Sequence, residues 1–194
     1  MIFDIELLLY NFKRMGFKPL YFNDSDKAKA YLIEKIANSS VGIGGSMTIK
    51  ELGLYEVLLR NGNEVYWHWE GSKYEDADRA NIYLLSANAV SMDGIMYFVD
   101  GVGNRVRNLL IPHDFIFVVF GINKIVKNEN SLEYRVETIA APQNARRLDR
   151  KTPCAKIGYC TDCKSIDRMC TFHVKVKQYK NNIVPIIIGE ELGF

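Results

Sequence analysis

The sequence predicts an α/β fold with a mainly parallel sheet. Three observations carry that prediction. Short apolar runs of strand length alternate with segments of helical periodicity along the 194 residues, which is the pattern of strand–helix–strand units. The runs Phe115 to Ile122 and Ile183 to Ile188 are apolar at consecutive positions, as strands buried on both faces are. Met92-Asp93-Gly94-Ile95 reads as a tight hairpin turn, because Asp-Gly accepts left-handed backbone, and it adds one antiparallel element.

The elements follow in order. Ile2 to Met15 spaces its apolar residues for a helix, and Lys18 to Phe22 is a short strand. Asp24-Ser25 supplies an N-cap, and Ala28, Tyr31, Leu32 and Ile36 give an amphipathic helix to about Ala37. Val41 to Gly44 is a short apolar strand. Thr48 to Leu59 reads as one helix with Gly53 inside it; Thr48 and Glu51 form its capping box, and Asn61-Gly62 ends it. Glu64 to Trp69 is the next strand and Tyr74 to Arg79 a short helix. Ile82 to Leu85, Ala87 to Ser91 and Ile95 to Val99 are strands, the last two joined by the Asp-Gly turn. Phe115 to Gly121 is the central buried strand. Asn128 to Leu148 has a helical pattern that Pro142 kinks or divides. Thr171 to Lys177 alternates, and Val184 to Ile188 is a last core strand. No repeat or linker intervenes, so residues 1–194 read as one domain with a cysteine-rich loop at 151–170.

Hydrophobic residues are 48% and charged residues 25% of the chain, the balance of a globular protein with a core. A net charge of +2 lacks the clustered basic excess of a nucleic-acid binder. No run reaches the length of a membrane span. Asp4 and Glu6 stand where a signal peptide carries positive charge. A cytoplasmic protein without membrane or nucleic-acid partners is expected, and thiols in that compartment stay reduced.

Two polar stretches are candidate binding sites. Gly42, Gly44 and Gly45 lie between a strand and a helix, followed by Ser46 and Thr48. Glycines let backbone approach an anion. The spacing matches neither the dinucleotide turn nor the P-loop, so a capped tight turn is the competing reading. Residues 86–108 hold Asn88, Asp93, Asp100, Gly101, Asn104, Arg105 and Arg107. Arginine beside Asn and Gly suits a carboxylate or phosphate; turn chemistry is the alternative. Asn123 and Lys124 repeat the theme after the central strand. Trp67-His68-Trp69 could stack a ligand or pack in the core. His113 is expected to be exposed. The three histidines are apart and no G-x-S-x-G elbow occurs, so no nucleophile stands out.

Cys154, Cys160, Cys163 and Cys170 fall within seventeen positions, spaced C-x5-C-x2-C-x6-C. One loop thus offers four thiolates, the number that a closed zinc site or a cubane iron–sulfur cluster needs. Lys151, Lys156, Lys164 and Arg168 surround them, a setting that favours thiolates. Inert core cysteines normally sit singly on apolar faces, and disulfides are disfavoured by the compartment.

Several ordered blocks resemble one family. VGIGGSMTIKELGL (41–54), AVSMDGIMYFVDGVGNRV (89–106), FGINKIVKN (120–128), IAAPQNARRL (139–148) and IIIGEELGF (186–194) are similar to the lactate-utilisation (LUD) domain family, also called LutC/YkgG-like. The resemblance implies a Rossmann-like three-layer α/β/α sandwich related to the NagB/RpiA/CoA transferase-like superfamily. It implies a ligand site at Gly44, Gly45, Ser46 and Thr48, with Asp100, Gly101, Asn104 and Arg105 in the same cleft. It also implies a component of L-lactate oxidation to pyruvate that works beside iron–sulfur proteins, as part of an oxidoreductase system if the chain is an enzyme. No glutamate matches the CoA-transferase nucleophile. The family's association favours an iron–sulfur cluster, of the 4Fe-4S kind, at the four cysteines over zinc. Expected partners are a small-molecule ligand and iron–sulfur redox proteins; self-association into a homo-oligomer stays open. The alternatives are a non-enzymatic module with a zinc knuckle, or a sugar-phosphate or CoA-ester enzyme on the same fold.

Overall fold

The structure, a computed structural model, describes residues 3–178 and 182–194. Ile2, the expected start of the first helix, lies outside them. Six parallel strands form the main sheet: β1 (Leu20–Phe22), β2 (Ser40–Ile43), β3 (Glu64–Trp67), β4 (Ile82–Leu85), β7 (Phe115–Gly121) and β10 (Ile183–Ile188). Their order is β1-β10-β7-β4-β2-β3, with every pair parallel. A second sheet, β8-β5-β6-β9, joins β5 (Ala89–Ser91), β6 (Met96–Asp100), β8 (Ile125–Val126) and β9 (Phe172–Val176). Strands β5 and β6 form the antiparallel hairpin across the Asp-Gly turn, where Gly94 takes a positive φ of 84°.

The apolar runs work as two-faced strands. In β7, Phe117 and Val119 face one core and Ile116, Val118 and Phe120 the other; in β10, Val184, Ile186 and Ile188 oppose Ile183 and Ile187. The first core is closed by α2 (Ser25–Lys35), α3 (Met47–Glu51) and α4 (Leu54–Arg60), through Ala28, Leu32, Ile49, Leu54 and Leu58. The second is closed by Leu8 and Phe12 of α1 (Ile5–Arg14), by Ala77 of α5 (Tyr74–Ala77), and by β5 and β6. A third cluster packs Leu132 of α6 (Ser131–Arg135) and Val136 on the outer face of the second sheet. These layers are those of a three-layer α/β/α Rossmann-like fold.

Two expectations are corrected. The helix over Thr48 to Leu59 is two helices, because Gly53 adopts φ 58°, ψ 40° and breaks it. The Thr48–Glu51 capping box does not form. Ser46 is the N-cap, its hydroxyl accepting from the Ile49 amide at 3.3 Å, which frees Thr48 and Glu51 for other contacts. Past α6 the chain passes through one π-helical stretch, Val136–Ala140, into α7 (Ala141–Arg147). Pro142 therefore falls in the first turn of a new helix, where its missing N–H costs little. Among the described residues no helix is long and apolar enough to cross a membrane.

Candidate functional site

Strands β2, β4, β7 and β10 end at the same edge of the sheet. In open α/β sheets, ligands bind outside the carboxyl ends of the strands. A cleft of about 330 Å³ opens there. The segments lining it are the turn after β2, the residues after β3 and β4, the 101–105 loop, the turn after β7, and α7.

Lys124 forms the floor. Its side chain is 3% exposed. Nζ donates to Thr48 Oγ1 and to Ser86 Oγ, both at 2.9 Å. Each hydroxyl has a carbonyl to donate to: Leu192 O at 3.2 Å for Thr48 and Ala87 O at 3.3 Å for Ser86. The lone pairs of both oxygens are thereby turned toward the amine. Among the described residues no carboxylate pairs with it. Burial, with Arg135 and Arg105 nearby, pulls the Lys124 ammonium down to about 7. Arg135 is buried behind it, donating to Asn123 O at 3.1 Å and to Asn88 O, and burial lowers it to about 10.

Asp100 and Arg105 are neighbours with structural duties. The Asp100 carboxylate accepts the amides of Gly103 at 3.1 Å, Arg105 at 2.8 Å and Val106 at 3.2 Å. It therefore folds the loop that presents Arg105. The Arg105 guanidinium donates to Ser86 O, Asn88 Oδ1 and Val99 O, and pairs with Asp100 at 3.8 Å. Gly44 and Gly45 have a close-packing reason to be glycine: a Cβ would meet Arg105 Cγ and Tyr83 Oη at 3.0 Å in the first case, and the His68 ring at 3.2 Å in the second. The rim carries His68, Trp69 and Tyr74. Burial lowers the His68 pKa and keeps the imidazole neutral near pH 7. Arg147 of α7 lies 4.8 Å over the Trp69 ring, and its Nη2 donates to Asn144 Oδ1 at 2.8 Å.

Seven predicted residues line the cleft together: Gly45, Ser46, Asp100, Gly101, Asn104, Arg105 and Lys124. Gly44, Thr48 and Asn123 stand behind it. Gly44 donates its amide to Leu84 O at 2.9 Å. Asn123 ties down the tail after β10, accepting from the Leu192 amide at 3.2 Å and donating to Gly193 O at 3.0 Å. Asn88 of the same polar stretch also lines the wall, and the wall residues that sequence reading missed are Ser86, Tyr74, Asn144, Arg147 and Phe194. Ser86 carried a usable signal, a polar residue directly after an apolar strand. His113 is half-buried rather than exposed; its ring nitrogens sit 2.7 Å from Ala80 O and 3.0 Å from Asn108 Oδ1.

Cys154 lies at the start of α8 (Pro153–Ile157), and the other three cysteines follow in irregular chain. All four are free and half-buried. Arg168 organises the loop, donating to Cys163 O at 2.9 Å, Cys170 O at 3.1 Å and Asp162 at 3.0 Å. Cys170 reaches the cleft wall. Its thiol is pushed up by burial, against the pull of Arg168, and Cys160 and Cys163 push it further. The expected basic activation therefore fails at this thiol. Among the described residues no group of three or more His, Cys, Asp or Glu is placed to hold a metal ion. The loop as folded does not fit a four-thiolate metal site.

The family model of the LUD domain matches residues 5–188. The chain belongs to the LUD domain family. This LUD domain is similar in structure to a DUF162 family protein from Deinococcus radiodurans, whose crystal structure aligns with TM-score 0.56 at 14% identity. The alignment covers 97% of this chain and 100% of that one, and it supports the fold of the LUD domain. No curated protein matches the sequence.

Proposed function

We propose that the cleft binds a small carboxylate or phosphorylated anion, and that the protein has a lactate-utilisation-related role as one component of L-lactate oxidation to pyruvate. Lys124 carries this reading. A buried ammonium with two neutral hydroxyls and no carboxylate is costly unless a ligand brings the counter-charge. Arg105, Arg135 and Arg147 add positive charge around it, and the bonds of Asp100 are spent on its own loop. The volume of about 330 Å³ is at the lower end for ligand sites, which favours a three- or four-carbon acid over a whole coenzyme A. Family membership supports the same direction.

Thermal-shift and calorimetric titrations with L-lactate, pyruvate and inorganic phosphate test it. At a hundredfold excess over Kd, a true ligand stabilises by ~2.7 kcal/mol, a shift of about 5–10 °C for a domain of this size. The same titration on Lys124→Met should show no shift. A flat response of the wild type to all three removes the reading.

Metal loading of Cys154, Cys160, Cys163 and Cys170 is a separate proposal that rests on spacing. It requires the loop to rearrange. Protein purified without oxygen should then contain iron and sulfide with a visible charge-transfer band, or one zinc per chain. Protein free of both metals rejects it.

A further inference from the structure

We propose that the Lys124 amine is a carbonyl-reactive nucleophile, so that a 2-oxo acid held in the cleft condenses with it to an imine. This rests on the anion-binding reading of the same cleft and adds a covalent step to it.

A lysine nucleophile needs a proton-free lone pair, a route for protons and a carbonyl held within reach. Lys124 lies on the floor of the cleft, 3% exposed, and reaches it through a wall shared with Ser86. Its hydrogen-bond partners are hydroxyls, which hold an amine in place without fixing a proton on it as a carboxylate does. Burial, with Arg135 and Arg105 nearby, brings the group to about 7, so that a substantial share of the amine is neutral near pH 7. Thr48 Oγ1 and Ser86 Oγ are 3.3 Å apart, so a proton leaving Nζ has two linked acceptors. Arg105 and Arg147, both lining the cleft, supply positive charge for the carboxylate of the acid, which leaves the adjacent C2 carbonyl free to meet the amine.

The step balances without any further reagent. The Nζ lone pair attacks the carbonyl carbon, a C–N bond forms, and the C=O π pair moves to oxygen, which takes up a proton from solvent. Nitrogen then gives up one of its two protons to the Ser86–Thr48 pair, leaving a neutral carbinolamine. That proton returns to the hydroxyl, which leaves as water as the nitrogen lone pair forms the C=N bond, giving the protonated imine. A 2-hydroxy acid can occupy the same cleft but has no carbonyl to react.

Intact-mass spectrometry of the full chain incubated with pyruvate and sodium cyanoborohydride tests this. The expected result is one adduct per chain, with the mass of pyruvic acid less one oxygen atom, mapped by peptide analysis to Lys124 and suppressed by excess L-lactate. Lys124→Arg should lose the adduct; mapping on the wild type decides the question even if that variant folds poorly. Absence of an adduct, or adducts spread over exposed lysines with Lys124 unmodified, overturns the proposal. Calorimetry on the same sample separates the two claims. Binding of both acids without an adduct rejects the covalent step and leaves the anion site standing, whereas no binding and no adduct reject both.

Discussion

Replacing Lys124 by methionine is expected to stabilise the ligand-free protein while abolishing its response to small acids. The side chain is 3% exposed, and burial pulls its pKa from 10.5 to about 7. Each unit is worth ~1.4 kcal/mol, so holding this group charged in the fold costs on the order of 5 kcal/mol. Methionine fills similar space with an adaptable apolar chain. Thr48 and Ser86 keep carbonyl partners when the amine is gone, so the change strands no buried hydroxyl. A net gain of about 1–3 kcal/mol at pH 7 follows, a rise of roughly 3–10 °C in Tm.

The pH dependence gives the sign. Between about pH 7 and 10.5 the unfolded chain holds a proton on Lys124 that the native state has shed. Stability of the wild type therefore falls as pH drops through that window and levels off below it. The advantage of Lys124→Met should be largest at pH 7 and nearly gone at pH 10. Urea unfolding of both proteins at the two pH values measures it. A variant destabilised equally at both would make Lys124 a structural tie.

Gly121→Ala is expected to be the most disruptive single methyl in the chain's central strand. The φ of Gly121 is an ordinary −82°, so backbone freedom is not the reason for glycine. Space is: a Cβ would lie 2.4 Å from Glu190 O and 2.7 Å from both Leu192 N and Asn123 Oδ1. Two of the three are backbone atoms of the tail after β10, and they can yield only if the tail moves. That movement breaks Ile122 N–H to Glu190 O, Asn123 to Leu192 and Gly193, and Thr48 to Leu192 O. Overpacking costs about 1–3 kcal/mol and each of the lost bonds about 1, so a drop of roughly 5–7 kcal/mol is expected, on the order of 10–25 °C in Tm. Hydrogen exchange should show the amides of Leu192 and Gly193 losing protection first. Unchanged Tm and protection would mean that the tail does not hold the site.

The mainly parallel sheet was legible because a strand buried on both faces is apolar at every position, as Ile116 to Phe120 are. The hairpin was legible because Gly94 needs the positive φ it adopts. Helix ends were less so. Thr48 and Glu51 have the capping spacing, yet the tail competes for both: Thr48 binds Lys124 and Leu192, and Glu51 accepts the Gly193 amide at 2.6 Å. Local pattern cannot reveal a partner 142 residues away.

The same division runs through the site. Sequence alone determined the order of strands and helices, the polar residues waiting at strand ends, and the family blocks that hold them, because these depend on periodicity and on neighbours along the chain. Tertiary structure decided their roles. It spent Asp100 on its own loop, filled the space at Gly44 and Gly45 with Arg105 and His68, brought Arg147 in from a helix, and left the cysteines without a metal-holding arrangement among the described residues. It also buried Lys124 without a carboxylate. Charge and pKa depend on burial and on groups that converge from distant segments, and only the folded chain brings those together.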